Sequence, residues 1–346
     1  MPTLIHPDRL RTFAAACYES LGVRPADAAI AAECIVDADL EGQGSHGMLR
    51  LPFYARRIAA GQIEARAEVR VLNRRPGSAL LDGGNGLGPV AGLRAMDLAC
   101  DLAADAGTGL CAVRGGNHLG SMAFYVTHGA RRGFLALAFS NTPPAVAPPG
   151  GRRSLLGTNP IAAAVPTSGL PVIIDMATTQ VARGRVLKAS LSGQTIPLGW
   201  ALDADGHATA DPKAALAGSM VPLGGAKGFA LALLVEILTG VLAGAGVGAE
   251  VGGTFVASER PSNVGHSFLA IDTEAFGEGF VERVDMLCQL VRASDPADPE
   301  IPVRVPGDRR HALRSEAEAQ GVEVGEELLA ELAALARELG VPVLSA

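Results

Sequence analysis

The chain is poor in aromatic residues, which make up 4% of its 346 positions, with one Trp and three Tyr. It has no Lys/Arg run, and its formal net charge is −7. Binding along a phosphate backbone needs a basic surface, so nucleic acid is not an expected partner. Cysteine is also sparse: Cys17, Cys34, Cys100, Cys111 and Cys288 are scattered, odd in number and without a C-x-x-C pair. That spacing excludes a disulfide framework and a zinc site; buried free thiols in a reducing cytoplasm and no bound metal are the expectation. The first residues, Met-Pro-Thr-Leu-Ile-His-Pro-Asp-Arg, lack the basic and apolar regions of a secretory signal, which again points to the cytoplasm. One run imitates a membrane span: Gly228 to Ala249 is apolar apart from Glu236. Glycines interrupt its second half and no aromatic belt or positive flank supports insertion, so a buried helix over about Gly228–Leu242 is expected.

Glycine is abundant, at 43 residues gathered in short clusters that mark turns and ligand loops. A length prior of about 150 residues per domain suggests two domains. The first 75 residues read as helical. Leu10, Phe13, Cys17 and Leu21 keep the helical period up to Gly22, Pro25 can open a second helix, and a third runs from about Gly47 to Ala60. Short apolar runs then follow, with strands expected at Ala79–Asp82, Leu110–Arg114, Phe134–Ser140, Ile161–Val165 and Pro171–Asp175. Pro89–Ala106, Phe280–Arg292 and Glu326–Leu339 are patterned as helices, and the last could pack back on the N-terminal ones.

The densest chemistry lies in Ser45-His46-Gly47-Met48-Leu49-Arg50. On one helix, residues four apart share a face, so an imidazole able to carry a proton near neutral pH would sit beside a guanidinium able to grip an acid group. Ser45 also invites a hydrolase reading, but a nucleophile elbow needs G-x-S-x-G and position 43 is Gln. Gly86-Leu87-Gly88-Pro89-Val90-Ala91 matches a dinucleotide fingerprint between a strand and a helix. Pro89 removes one N–H that would cradle a pyrophosphate, and no acidic residue ends the next strand. Further polar groups end apolar strands or open a helix: Asn117-His118, Thr158-Asn159, Asp175 and Lys227. Each alone is an ordinary loop or cap residue; together they supply a ligand site's range of groups in Gly-rich loops.

Taken in order, these segments resemble the type-2 malate/L-lactate dehydrogenase family, which includes sulfolactate, ureidoglycolate and diketogulonate oxidoreductases and cyclic imino-acid reductases. The resemblance covers nearly the whole chain. It rests on Asp39 to Leu51, Asn117-His-Leu-Gly120, Ser140-Asn-Thr-Pro-Pro144, Gly157-Thr-Asn-Pro160, Asp175-Met-Ala-Thr178, Ala182-Arg183-Gly184, Ile196 to Asp203, Gly224-Gly-Ala-Lys-Gly228 and Val305-Pro-Gly-Asp308. It implies an α/β fold that is not Rossmann, with a β-rich cofactor domain (76–279) and a helical substrate and dimerisation domain from both chain ends (1–75 plus 280–346). It implies NAD or NADP as cofactor, a small anionic 2-hydroxy or 2-oxo acid as substrate, and a homodimer. Ser45 and His46 would transfer the proton, with His118 a competing acid–base. Arg50, Thr158 and Arg183 would bind substrate. His118, Leu119, Gly120, Ser121, Met122, Ser140, Asp175, Met176, Ala177, Lys227, Gly228, Pro306, Gly307 and Asp308 would hold the cofactor. Some imino-acid reductases carry an acid where this chain has Arg185, which favours the hydroxyacid branch. A serine hydrolase and a non-catalytic nucleotide-binding module are the rivals from other classes.

Overall fold

The computed structural model describes residues 3–253 and 261–344. After a short strand β1 (Thr3–Ile5), helices α1 (Pro7–Ser20) and α2 (Pro25–Leu40) both start on a proline, whose missing N–H is one that a first helical turn leaves unpaired anyway. The third helix is shorter than its expected span of Gly47–Ala60. Helix α3 covers only Leu51–Ala59, and before it come two 3₁₀ turns, Gly44–His46 and Met48–Arg50, divided at Gly47. Pro52 explains the break: an α-helix continued backwards would press its ring on the Met48 carbonyl. His46 and Arg50 are therefore presented by separate tight turns and not by one helical face.

The chain then enters a mixed sheet through β2 (Arg70–Arg75) and β3 (Ser78–Asp82). It continues with α4 (Gly88–Ala106), β4 (Thr108–Gly116), α5 (Ala123–Arg131), β5 (Phe134–Ser140), β6 (Ile161–Val165) and β7 (Val172–Met176). A small lobe follows, made of α6 (Arg183–Leu191), β8 (Ala201–Leu202), α7 (Pro212–Ala217) and β9 (Ser219–Met220). Helix α8 (Ala226–Glu236) leads back to the sheet strand β10 (Val264–Asp272). Last come α9 (Phe280–Arg292), α10 (Asp308–Gln320), β11 (Val322–Val324) and α11 (Glu326–Leu339).

The seven-stranded sheet has the order β2-β3-β4-β10-β5-β6-β7, and only β3 and β4 run parallel. A doubly wound dinucleotide fold would be built from parallel neighbours, so the fold is not Rossmann. The Gly86–Ala91 loop has another use. A Cβ on Gly88 would fall 2.2 Å from the His118 carbonyl oxygen, so this glycine lets α4 start directly against the His118 loop. Asn117 ties the two together, its Nδ2 donating to Asn85 O at 3.0 Å and Gly86 O at 2.9 Å.

Two cores hold the site between them. Leu10, Tyr18, Ile35 and Leu51 pack with Leu332 and Leu335 of α11, while β1 pairs with β11, so a helical unit is made from both chain ends. The other core lies between α4, α5 and the sheet, where Ala136, Ala138, Ala162 and Ala164 leave room for Met96, Tyr125 and Phe268. The strand Arg70–Arg75, which the sequence division places with the helical part, hydrogen-bonds to β3 in the sheet. The helix expected to be buried over Gly228–Leu242 has one open side. It continues α8 through a π-helical turn, Ile237–Val241, and exposes Leu233, Leu234, Ile237 and Val241. Among the described residues no helix is long and apolar enough to cross a membrane. All five cysteines are buried and free.

Candidate active site

A cavity of about 520 Å³ opens where the turns before α3 meet the loop after β4, the ends of β5 and β7, and the start of α6. Small-molecule sites commonly measure roughly 300–1,000 Å³. Ser45, His46, Arg50, the whole His118–Met122 loop, Ser140, Thr158, Asp175, Met176, Ala177 and Arg183 line it. Lys227, Gly228, Pro306, Gly307 and Asp308 are not in its lining. Lys227 is exposed in the first turn of α8. The Pro306 carbonyl instead accepts from Ile173 N at 3.1 Å, and the Asp308 carboxylate pairs with Arg292 at 2.6 Å, so this loop backs β7 from behind.

Two imidazoles dominate the cavity wall. The rings of His46 and His118 stack with centroids 5.6 Å apart and planes 21° from parallel. Their hydrogen bonds give them different states. His118 Nδ1 accepts from the Gly120 N–H at 3.1 Å and lies 2.5 Å from the Tyr54 hydroxyl. An N–H can only donate, so the neutral ring carries its proton on Nε2. A second proton on Nδ1 would face that N–H, and burial together with His46 and Arg50 holds His118 well below the ordinary histidine range. His46 Nδ1 meets only a hydroxyl, Ser45 Oγ at 2.9 Å, which can donate or accept. Burial, with the Arg50 and Arg310 charges, pushes the His46 imidazolium down to about 4. Arg50 is fixed by its Nε donating to Ser45 O at 2.6 Å. Across the cavity, a Cβ on Gly184 would lie 3.5 Å from Ser45 Cβ, so the first turn of α6, with Arg183, closes over the serine.

The opposite wall is organised by Asp175 at the end of β7. Its Oδ2 accepts from Ser121 Oγ at 3.1 Å and from Ala123 N at 3.0 Å, and Arg310 approaches it at 3.4 Å. Burial raises the Asp175 carboxyl, and Arg310 and these donors oppose the rise. Arg310 also pairs with Glu41 at 2.9 Å, and Arg314 pairs with Glu41 at 3.0 Å and Asp37 at 2.9 Å. Ser140 lines the cavity but aims its hydroxyl inward. His266 Nε2–H donates to Asn117 O at 3.1 Å, and its Nδ1 lies 2.9 Å from Ser140 Oγ, whose hydroxyl also meets the Asn141 carbonyl at 2.9 Å. Thr158 is held by its N–H donating to Thr142 Oγ1 at 2.9 Å. Beneath it, buried Glu236 accepts from Asn159 Nδ2 at 2.7 Å, Gly248 N at 2.8 Å and Asn141 Nδ2 at 3.3 Å.

Hydroxyl, paired imidazoles, guanidiniums and a buried carboxylate thus share one cavity on a non-Rossmann sheet, and a family model for malate/L-lactate dehydrogenase matches residues 5–333. The chain belongs to this family. It is 41% identical to a (2R)-3-sulfolactate dehydrogenase (NADP(+)) of Chromohalobacter salexigens, over 97% of this chain and 99% of that protein. Its structure is similar to that of a sulfolactate dehydrogenase from Methanocaldococcus jannaschii, with TM-score 0.92 and 35% identity, covering 99% and 98% of the two chains. It is also similar to a delta1-piperideine-2-carboxylate reductase of Pseudomonas syringae, with TM-score 0.86 and 30% identity, covering 97% and 99%. The protein is a nicotinamide-dependent oxidoreductase acting on small 2-hydroxy or 2-oxo acids.

Three groups of this dehydrogenase site were not foreseen. Arg310 sits on α10, whose polar sequence Asp308–Gln320 has no apolar stripe to betray it. Its only signal was the basic pair that follows Pro306-Gly307-Asp308. Tyr54 was visible only as a neighbour of Arg50, and His266 lies in a strand that polar residues disguise.

Proposed function

We propose that the substrate is a 2-hydroxy acid bearing a second anionic group, of the sulfolactate or malate type, and that His46 moves the proton. The observation that carries this reading is the stacked His46–His118 pair in a cavity also lined by Arg50, Arg183 and Arg310. Arg310 lies between Asp175 and Glu41, while Arg50 donates to the Ser45 carbonyl and Arg183 to the Leu216 carbonyl. Three guanidiniums lining one cavity suit a dianion, and bidentate guanidinium contacts suit carboxylate and sulfonate alike. The residues also fit a nicotinamide group. Met122, Pro143, Met176 and Val264 offer an apolar bed beside Asp175 and the backbone of residues 119–122. When bound, that cofactor takes or supplies the hydride.

The chain's own residues then divide the remaining work. In oxidation, neutral His46 accepts the hydroxyl proton at Nε2, while Ser45 Oγ keeps the ring oriented through Nδ1. In reduction, His46 returns that proton to the forming alkoxide. His118, locked with its proton on Nε2, donates a hydrogen bond towards the reacting oxygen and stays neutral throughout. Arg50 and Thr158 hold the acid group, and Arg183 meets the second anion at the cavity mouth. The cyclic imine reading has less support: Arg185 is exposed on α6 and gives no carboxylate to the cavity. We read the protein as a cytoplasmic homodimer with helical (1–75 plus 280–346) and cofactor (76–279) parts. The apolar face of α8 supports a second copy, and light scattering would test it.

The deciding experiment follows reduced nicotinamide by absorbance with sulfolactate, malate, lactate and ureidoglycolate, and with a cyclic imine in the reverse direction, using NAD and NADP forms. The expected result is the highest kcat/KM on a dianionic hydroxy acid. Equal efficiency on lactate would remove the second-anion argument, and a faster imine would reassign the substrate.

A further inference from the structure

Ser45, His46 and Arg50 all stand on the paired 3₁₀ turns, yet short 3₁₀ turns hold themselves with few bonds. His46 N donates to Gln43 O at 2.8 Å and Arg50 N to Gly47 O at 2.8 Å. One side chain from outside completes the arrangement. Asp39, in the last turn of α2, points its carboxylate into the hollow between the turns and accepts the Met48 N–H at 2.7 Å. The fit is tight: a Cβ on Gly47 would lie 1.9 Å from Asp39 Oδ1 and 2.4 Å from Oδ2, and one on Gly44 would lie 3.5 Å from Oδ1. A side chain at position 47 would therefore have to push this carboxylate from its place.

We propose that Asp39 is a positioning residue for this reaction: its carboxylate is the seat on which the 44–50 turns are set, and through them it aims the His46 ring and the Arg50 guanidinium. The proposal rests on the reading of His46 as proton carrier. The cations that neighbouring elements turn towards α2 are engaged elsewhere: Arg11 with Glu33, Arg94 with Asp27, Arg310 with Glu41, and Arg314 with Asp37 and Glu41. His46 and Arg50 are the basic groups on the turns themselves. Among the described residues no cation lies in ion-pair contact with Asp39, and burial against a single N–H donor raises its carboxyl to about 7. A seat of this kind changes charge near neutral pH, and its state is readable in the rate.

The test compares Asp39→Asn, Gly47→Ala, His46→Ala and Asp39→Asn/His46→Ala in the full-length enzyme, using kcat/KM across pH, NAD(P)H affinity by fluorescence, and melting temperature. In the wild type, kcat/KM should step down as pH falls through about 7. Asp39→Asn should sit roughly tenfold below wild type at alkaline pH, the scale of one charge-assisted hydrogen bond, and should lack that step. Its cofactor affinity should stay within about twofold, and its alkaline melting temperature should be unchanged or higher, because the amide carries no charge to bury. A residue that served stability alone would lower the melting temperature and leave the pH step. Gly47→Ala reaches the same contact from the other side and should reproduce the rate loss if Asp39→Asn folds poorly. The double variant should have the kcat of His46→Ala, with any further loss confined to KM through Arg50. Wild-type rates and an intact step in Asp39→Asn, wild-type rates in Gly47→Ala, or additive losses of kcat in the double variant overturn the proposal. Wild-type turnover of His46→Ala overturns the proton-carrier reading instead.

Discussion

His46→Ala is the perturbation whose size the structure fixes best. The ring is depressed from 6.5 to about 4 because it is buried and faces the Arg50 and Arg310 charges. At neutral pH it is therefore a ready base for oxidation, with only about one molecule in a thousand protonated. Reduction needs the rare protonated form, a handicap of roughly 4 kcal/mol at three pH units. An anionic 2-oxo acid reduces that handicap by neutralising the guanidiniums that depress the ring, so binding substrate raises the His46 pKa in the complex. Because kcat/KM reports the free enzyme and kcat the complex, the low-pH limb of oxidation should lie near 4 in kcat/KM and higher in kcat. This limb is separate from the step near 7 assigned to Asp39. Alanine leaves no proton carrier at that position, so kcat should fall by about 10²–10⁴ in both directions, or ~3–5 kcal/mol of barrier. NAD(P)H affinity should not change. Nicotinamide absorbance with a saturating hydroxy acid measures the rate, and fluorescence titration measures the affinity. Turnover within about threefold of wild type, or survival of the limb near 4 in the variant, would refute the assignment. If His118→Ala alone lost activity, the proton would belong to the other ring.

Arg50→Lys keeps the charge and loses both the fork and the Nε–H bond to Ser45 O, so KM should rise about tenfold with a smaller effect on kcat; an unchanged KM would move the anion site elsewhere. Tyr54→Phe removes one of two groups on His118 Nδ1 while the Gly120 N–H keeps the tautomer. A neutral hydrogen bond contributes about 1 kcal/mol, so kcat should fall roughly fivefold, and a loss beyond a hundredfold would give Tyr54 a part in the chemistry. Glu236→Ala strands the donors of Asn159, Gly248 and Asn141. At about 1–3 kcal/mol for each stranded buried group, urea unfolding should show a loss of at least ~3 kcal/mol; an unchanged midpoint would mean that water satisfies those donors.

Much of the fold was legible because its periodicity is local. The helices Phe280–Arg292 and Glu326–Leu339 and the strands Phe134–Ser140 and Ile161–Val165 fall where their apolar spacing places them. What escaped depends on partners distant in sequence. The central strand β10 is buried on both sides, but His266 and Ser267 interrupt its apolar run. Those polar groups are tolerated because Asn117, Ser140 and Leu238 O pair with them, contacts that no local pattern reveals. The His46–Arg50 spacing was legible as chemistry and misleading as geometry, since Pro52 turns the preceding residues out of the α-helix. Arg310 escaped for a different reason: a guanidinium next to a cavity and one on a solvated helix face have the same local sequence.

The polar residues that were hardest to foresee also explain how two separately cored halves present one site. Asp37 of α2 and Glu41, which caps its C-terminus, pair with Arg314 and Arg310 of α10, and Arg310 reaches Asp175 at the end of β7. Asp175 in turn holds Ser121 and the start of α5, directly after the His118 loop. The helix that bears Asp39 under the His46 turns is thus joined by an unbroken run of ion pairs to the strand that organises the opposite wall. Buried pairs of this kind contribute little net stability, because each ion loses its hydration, but breaking one partner leaves a charge uncompensated. Their better-supported use is to fix a single arrangement of the parts they join. Proton transfer requires His46 and the hydride-bearing carbon to be in register across the junction, and misplacement of about 1 Å can slow a reaction a hundredfold. A run of charges with one well-matched geometry is suited to that task in a way that interchangeable apolar contacts are not.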